Sequence, residues 1–247
     1  MYALFDRYAA RYDLHTPPRH YQHDHAFVLD VAGAFEPPCR LLDVGCGTGV
    51  LVKKALRAAV RAEGIDSSVA MIAVARARVG ESAVRVCPMQ QLVADSAYDL
   101  IVALSWTVNY CAGVDELFDV LTRMRRALTP RGRILLQVAH AAHVDGEPMQ
   151  DSEPGPTGIE DDVTLRYRFA AVGAEGSEMQ AEYSYSCRSL DEHLSEAHLL
   201  RATDARGVAQ QMRDVGFERV EVYDSWRRDP FHRSASPFIE AARGGKP

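Results

Sequence analysis

A glycine-rich turn joins an apolar strand pattern to a helix pattern in Leu41-Leu42-Asp43-Val44-Gly45-Cys46-Gly47-Thr48-Gly49. Its glycines stand at every second position, where the missing side chains let the backbone turn sharply and approach a ligand closely. An acidic residue, Asp66, follows the loop after a second short apolar segment. This order of strand, glycine-rich turn, helix and later acid indicates a nucleotide-binding α/β protein of the doubly wound class.

The spacing of the glycines distinguishes between classes of nucleotide. Dinucleotide-binding folds place a further glycine or alanine three residues after the second glycine, and here that position is Val50. No lysine directly follows the last glycine, so a P-loop triphosphate site lacks its main cation. The pattern Asp43-x-Gly45-x-Gly47-x-Gly49 resembles the first motif of class I S-adenosylmethionine (SAM) dependent methyltransferases.

The resemblance implies a SAM site at the carboxyl ends of the strands. The glycine loop is then expected to line the methionine portion of SAM, and Asp66 to hold the ribose. Most relatives carry an aspartate where Pro88 stands, so the contact with the adenine amino group is open and Gln90 or Gln91 is a candidate substitute acceptor. The residues expected to bind the cofactor are Tyr12, Arg19, Asp43, Gly45, Cys46, Gly47, Asp66, Ser67, Met71, Met89, Gln90 and Leu104.

Three of these expectations concern particular parts of the cofactor. Tyr12 and Arg19, from the N-terminal segment, are expected to contact the methionine carboxylate. Met71 and Met89 are expected on the two faces of the adenine, and Leu104 beneath the sulfonium.

Composition favours one globular domain in the cytoplasm. The 247 residues are 47% hydrophobic and carry a net charge of −6, which disfavours a nucleic-acid substrate because phosphate binding needs a basic face. The five cysteines have no C-x-x-C spacing, which indicates reduced thiols. No apolar signal core begins the chain and no apolar run has the length of a membrane span, so neither is expected.

Strand and helix patterns alternate from Cys39 onward, which indicates a parallel sheet with helices on both faces. The expected strands are Arg40–Val44, Ala62–Asp66, Ala83–Cys87, Tyr98–Leu104 and Gly132–Ala139, and the expected helices are Val50–Val60, Ser68–Val79 and Val114–Leu128. The resemblance implies an α/β fold with a Rossmann-like, seven-stranded methyltransferase sheet, an antiparallel β insertion after the fifth strand, and an antiparallel last strand.

We expect a single methyltransferase domain with four parts. These are a helical N-terminal cap in residues 1–36, a cofactor-binding core in 37–144, the insertion in 145–202, and a last helix and strands in 203–247. The insertion shows β character in Val163–Phe169, Ser177–Cys187 and Glu192–Arg201, with a hairpin link at Gly173–Gly176. Tyrosines and arginines alternate along these strands, so one set faces the acceptor or a second subunit, and the pattern does not say which.

Catalytic candidates follow the strands at the ligand edge. His140 and His143 come directly after the fifth strand, and a histidine titrates near neutrality, which suits a general base; alternatively they open a surface loop. Tyr110 follows the fourth strand, where methyltransferases often place groups that contact the acceptor. His193 and His198 fall on opposite faces of a strand and are not expected to act together. The catalytic candidates are therefore His140 and Tyr110, and no metal ligand set is expected.

The stretch Tyr8-Ala9-Ala10-Arg11-Tyr12-Asp13 and the added strands resemble small-molecule enzymes such as amino-sugar N,N-dimethyltransferases and glycine N-methyltransferase. The expected function is SAM-dependent methyl transfer to nitrogen or oxygen of a small-molecule acceptor, in secondary metabolism. Two alternatives are an NAD(P)-dependent oxidoreductase and a non-catalytic SAM-binding protein of the same fold. A homodimer is expected, and neither nucleic acid nor a membrane is an expected partner.

Overall fold

The computed structural model describes residues 2–173 and 177–244. Its α-helices are α1 (Tyr12–His15), α2 (Gln22–Gly33), α3 (Val50–Arg57), α4 (Val69–Val79), α5 (Val114–Ala127) and α6 (Ala205–Val215). Its strands are β1 (Arg40–Val44), β2 (Arg61–Asp66), β3 (Val84–Val86), β4 (Tyr98–Ala103), β5 (Leu128–Gln137), β6 (Met149–Glu153), β7 (Val163–Val172), β8 (Glu178–Cys187), β9 (Glu192–Arg201), β10 (Glu218–Tyr223) and β11 (Phe238–Ala242).

The main sheet has seven strands in the order β10-β11-β5-β4-β1-β2-β3. β1 to β5 are parallel, whereas β11 pairs antiparallel with both β5 and β10. The chain moves outward from β1 in one direction to β3 and in the other to β5. This reversal opens a crevice at the carboxyl end of β1, where ligands of open α/β sheets bind. The expected seven-stranded methyltransferase sheet is confirmed.

Helices cover both faces of this sheet. Along β4, Leu100 and Val102 face the layer of α2, α3 and α4, whereas Ile101 and Ala103 face α5 and α6. All four side chains are fully buried, which explains the nearly continuous apolar run in this strand. The helices therefore fix the strand ends from both sides and hold the loops that follow them.

A second, antiparallel sheet of order β6-β7-β8-β9 forms the expected insertion. The polar segment Met149–Glu153 was not expected to be a strand, but it pairs with β7 over its whole length. The hairpin link expected at Gly173–Gly176 falls largely on residues 174–176, which lie outside the described residues, although Val172 pairs with Glu178 on either side of it.

Alternation along these strands resolves which side chains face the domain. Tyr167 and Phe169 of β7 and Tyr183 of β8 point inward, whereas Arg166 and Arg168 are exposed on the outer face. Odd-numbered residues of β7 and β8 therefore form the inner surface of the insertion.

The N-terminal region is less helical than expected. Residues 2–21 form short 3-10 turns and the single-turn helix α1, and α2 packs Phe27, Val28 and Val31 against the main sheet. The segment before Gln22 and the first turn of α2, with Asp24 and His25, therefore line the crevice. Among the described residues, no helix is long and apolar enough to cross a membrane.

Candidate active site

A cavity of about 510 Å³ lies at the carboxyl ends of β1, β2 and β4, and we call it the glycine-loop cavity. Of the expected cofactor residues, eleven line it: Tyr12, Asp43, Gly45, Cys46, Gly47, Asp66, Ser67, Met71, Met89, Gln90 and Leu104. The expected catalytic residue Tyr110 also lines it. These residues are spread over about a hundred positions of the sequence. The fold brings them together because the loops after the parallel strands all lie at the same edge of the sheet.

Two glycines of the loop have different surroundings. Gly45 adopts a left-handed φ of +73°, and a Cβ there would lie 2.5 Å from the side chain of Thr107. Gly47 also has a positive φ, +52°, but a Cβ there would meet no protein atom within 4 Å. Gly45 is therefore required by packing, whereas Gly47 leaves open space beside the cavity.

Asp66 connects this loop to the start of α4. Its carboxylate accepts hydrogen bonds from the backbone N–H of Gly47 at 3.0 Å and of Ser68 at 2.8 Å. Burial raises the pKa of Asp66, and these backbone hydrogen bonds oppose the rise. An anchored carboxylate of this kind has free lone pairs for two ligand hydroxyl groups.

Asp43 adds a second buried carboxylate to the same wall. It is 5% exposed, and burial together with the neighbouring Asp66 raises the pKa of Asp43 to about 7. Among the described residues that line the glycine-loop cavity, none is a lysine or an arginine. The cavity therefore suits a ligand with positive charge and hydroxyl groups, and it lacks the cations that a pyrophosphate would need.

A second cavity of about 500 Å³ lies under the insertion, and we call it the aromatic cavity. It shares with the glycine-loop cavity the residues Phe5, Tyr12, Thr16, Tyr21, Ser105 and Tyr110. Beyond them, a hydrogen-bonded series lines its floor: Gln137 Nε2 donates to Asp24 at 3.1 Å, and Gln137 Oε1 accepts from the Ser105 N–H at 2.9 Å. The two cavities are thus adjacent, with tyrosines at their boundary.

Arg19 does not reach the glycine-loop cavity, so the expected contact with the methionine carboxylate is not supported by its position. Its guanidinium forms ion pairs with Asp151 at 2.9 Å and with Glu153, both on β6. An arginine side chain satisfied by two carboxylates has no reason to leave them for a single ligand group. Arg19 instead fastens the N-terminal segment to the insertion.

His140 also lies away from both cavities. Its Nδ1 accepts from the backbone N–H of Ala205 at 3.2 Å, and its ring packs edge-on against Phe231 and His143. The residue does follow β5 at the expected edge of the sheet, but its side chain points toward the start of α6. This position supports a structural role for His140 rather than that of a general base.

The structure places His198 behind Tyr110, which the sequence did not indicate. The Tyr110 hydroxyl lies 2.6 Å from His198 Nδ1, and His198 Nε2 lies 2.9 Å from Glu196 Oε1. His198 is completely buried, whereas His193 is exposed on the opposite face of β9. The available signal was the spacing of two between Glu196 and His198, which puts both side chains on one face of a strand.

Comparisons with known proteins identify a methyltransferase domain in part of the chain. The family model of the methyltransferase domain matches residues 41–132, which include the glycine loop and Asp66. The chain therefore carries a methyltransferase domain over this range. Its cofactor is SAM, as expected, and the carboxylates and open glycine of the glycine-loop cavity fit that ligand.

Three proteins that are similar to this chain carry the names of sugar methyltransferases. The chain is 31% identical to a dTDP-4-amino-2,3,4,6-tetradeoxy-D-glucose N,N-dimethyltransferase of Saccharopolyspora spinosa, over 39% of each chain. It is 23% identical to a dTDP-3-amino-3,6-dideoxy-alpha-D-glucopyranose N,N-dimethyltransferase of Streptomyces fradiae, over 83% of this chain and 72% of the relative. A SAM-bound amino pentose methyltransferase from Micromonospora echinaspora has the same fold, with a TM-score of 0.72, 22% identity and coverage of 98% of both chains.

The pKa of Asp43 predicts how SAM binding changes with pH. A cationic ligand favours the ionised carboxylate, so binding releases a proton wherever the free methyltransferase holds one on Asp43. Affinity for SAM is therefore expected to be full above pH 8 and to fall as pH drops through about 7, by up to about tenfold per pH unit. Calorimetric titration between pH 5.5 and 8 measures this slope. Asp43→Asn should remove it, and an equal slope in both proteins would contradict the assignment.

Proposed function

We propose that this methyltransferase transfers the methyl group of SAM to an amine nitrogen of a small-molecule acceptor, an amino sugar. The observation that carries the proposal is the wall shared by the glycine-loop cavity and the aromatic cavity. A cofactor in the first and an acceptor in the second are separated only by side chains such as Tyr12 and Tyr110. The two named relatives act on amino sugars, which supports this acceptor class.

The lining of the aromatic cavity favours nitrogen over oxygen. Its polar floor includes Asp24, whose pKa is raised by burial and whose carboxylate already accepts from Gln137. Aromatic faces of Tyr167, Phe169 and Tyr183 line the same space. A carboxylate among aromatic rings attracts a protonated amine, because ring faces and carboxylate both favour a cation. Among the described lining residues there is no arginine or lysine to oppose it.

The reaction is an in-line displacement that depends on alignment. SAM supplies an electrophilic methyl group on a cationic sulfur. Asp66 would hold the cofactor by its hydroxyl groups, and Asp43 would supply negative charge for its cationic groups. The tyrosines at the boundary orient the acceptor nitrogen and exclude water. Correct orientation of two reactants contributes roughly 7–11 kcal/mol to such a step.

A transfer assay with labelled SAM tests the proposal. The acceptor panel contains the two nucleotide-linked amino sugars named for the relatives, their free amino glycosides, and phenols. Methylation of amines and not of phenols is the expected result. Tight binding of NADH in place of S-adenosylhomocysteine would instead favour an oxidoreductase. Binding of SAM with no transfer to any amine would favour a non-catalytic protein.

Asp24→Asn tests the carboxylate on the floor of the aromatic cavity. The substitution keeps an oxygen for Gln137 but removes the charge that attracts a protonated acceptor. We expect the acceptor KM to rise about tenfold, as for one weakened charge-assisted contact, with unchanged affinity for S-adenosylhomocysteine. Asp30→Asn, at an exposed position of the same helix, is the matched control. An unchanged KM in Asp24→Asn would remove this carboxylate from the acceptor site.

We also propose that the protein works in a reducing compartment. All five cysteines are unpaired in the structure and four of them are buried, which supports a cytoplasmic location. The expected homodimer and the absence of a nucleic-acid partner stay predictions.

A further inference from the structure

A buried hydrogen-bonded chain runs from the boundary of the two cavities into the insertion. Tyr110, on the loop after β4, meets His198 of β9, and His198 meets Glu196 two residues earlier on the same strand. The ring of Tyr2 stacks on His198 with its centroid 3.7 Å away, which closes the other side. Of Tyr110, His198 and Glu196, only Tyr110 lines the cavities.

The partners of Glu196 fix which way the hydrogen bonds run. Its carboxylate accepts from the backbone N–H of Ala3 at 2.8 Å and of Leu4 at 2.7 Å. These donors and His198 lower the pKa of Glu196, so the group is an ionised acceptor. His198 therefore donates its Nε2–H to Glu196, and its Nδ1 carries the lone pair that accepts from the Tyr110 hydroxyl. The proton of Tyr110 is thus directed away from the cavities.

We propose that His198 and Glu196 act through Tyr110 as a proton relay that deprotonates the acceptor amine. This inference rests on the proposed function, since it needs an amine in the aromatic cavity. An N–H bond of the acceptor ammonium breaks and its proton passes to the Tyr110 oxygen, while the Tyr110 proton passes to His198 Nδ1. The nitrogen lone pair is then free to attack the methyl carbon. Glu196 balances the charge of the resulting imidazolium, which later returns its proton to water.

The surroundings of the chain suit a relay rather than a resting phenolate. Burial raises the pKa of Tyr110 well above its usual range, so the phenol stays protonated and needs an acceptor behind it. Burial lowers the pKa of His198, and Glu196 opposes this, so the resting imidazole is neutral and its Nδ1 lone pair is available to a donor. The other titratable groups around the pair are the phenols of Tyr2, Tyr12 and Tyr183.

The first test compares pH profiles of the single-turnover rate, with the panel amine that the wild-type protein methylates fastest. His198→Gln retains a hydrogen-bonding side chain but cannot accept a proton. Its rate should be lower by about 10²–10⁴-fold near pH 7, the usual size of base assistance, and should approach the wild-type rate above the pKa of the free amine. His193→Gln, on the exposed face of the same strand, should match the wild-type profile.

Coupling between the residues gives a second reading of the same assay. Tyr110→Phe should lower the single-turnover rate as much as His198→Gln. The double variant should lower the rate no further than either single variant, because each substitution removes the same proton relay. Glu196→Gln should shift the acidic limb of the profile. A merely structural role of His198 would lower the rate equally at every pH, and that result would overturn the relay.

An NMR measurement keeps the inference testable without turnover. In ¹⁵N-labelled wild-type protein, His198 should be the Nε2–H tautomer, and Tyr110→Phe should shift its Nδ1 resonance downfield while leaving Nε2 nearly unchanged. An Nδ1–H tautomer, or a spectrum that Tyr110→Phe does not alter, would overturn the relay even if amines are methylated. The expected spectrum without transfer to any amine would instead overturn the proposed function, and with it the catalytic use of the chain.

Discussion

Asp66→Ala is expected to weaken S-adenosylhomocysteine binding by about 10²–10⁴-fold while the fold persists. The buried carboxylate has lone pairs left for two ligand hydroxyl groups, and hydrogen bonds to a charged acceptor contribute roughly 1.5–3 kcal/mol each. The substitution also frees the backbone N–H groups of Gly47 and Ser68, which now hold the loop and the start of α4 to the carboxylate. Calorimetric titration measures the affinity, and thermal unfolding checks the fold.

Two variants separate the contributions to this loss. Asp66→Asn keeps an oxygen acceptor for one backbone N–H, so it should retain more affinity than Asp66→Ala. Glu63 lies on the same strand as Asp66, but its carboxylate binds Arg85 and Tyr98 rather than the glycine loop. Glu63→Ala should therefore leave the affinity for S-adenosylhomocysteine unchanged. Normal affinity in folded Asp66→Ala would mean that the ribose is held elsewhere.

The cofactor site could be predicted because its determinants are local. Gly45, Gly47 and Gly49 follow directly on β1, and Asp66 ends the neighbouring β2, so a short stretch of chain specifies both the turn and its acidic partner. The alternation of apolar strands and helices similarly determines the parallel order. Because β1 and β2 pair in register, residues at the ends of the two strands are neighbours in space. Their separation along the sequence therefore predicts that they meet.

The acceptor side could not be predicted because it depends on contacts between distant segments. Arg19 meets Asp151 across 132 positions, and Tyr110 meets His198 across 88. The side-chain direction of His140 could not be predicted for a different reason. Its position after β5 predicts the edge of the sheet at which it lies, but the chain rotates beyond the strand and turns its ring toward α6. Polar β6 was missed because its stability comes from pairing with β7 and from Arg19, not from an apolar pattern.

Gly47→Val is expected to abolish cofactor binding without unfolding the protein. A Cβ at Gly47 would meet no protein atom within 4 Å, and the residue lines the glycine-loop cavity, so the added side chain would occupy space that the ligand needs. A blocked site differs from a lost hydrogen bond, because the ligand and the side chain cannot both be present. Raising the SAM concentration should therefore restore little activity, whereas it should rescue Asp66→Ala substantially.

Backbone strain is the competing explanation for a loss at Gly47, and a second glycine separates the two. Gly47 has a φ of +52°, where a β-branched residue costs about 1–2 kcal/mol. Gly158, in an exposed loop, has a φ of +80° and equally open surroundings, but it is remote from the cavity lining. Gly158→Val should lower the melting temperature by a similar amount and leave S-adenosylhomocysteine affinity intact. Only a loss of binding confined to Gly47→Val assigns the open space beside the loop to the ligand. Near-normal turnover of Gly47→Val at saturating SAM would place the methionine portion elsewhere.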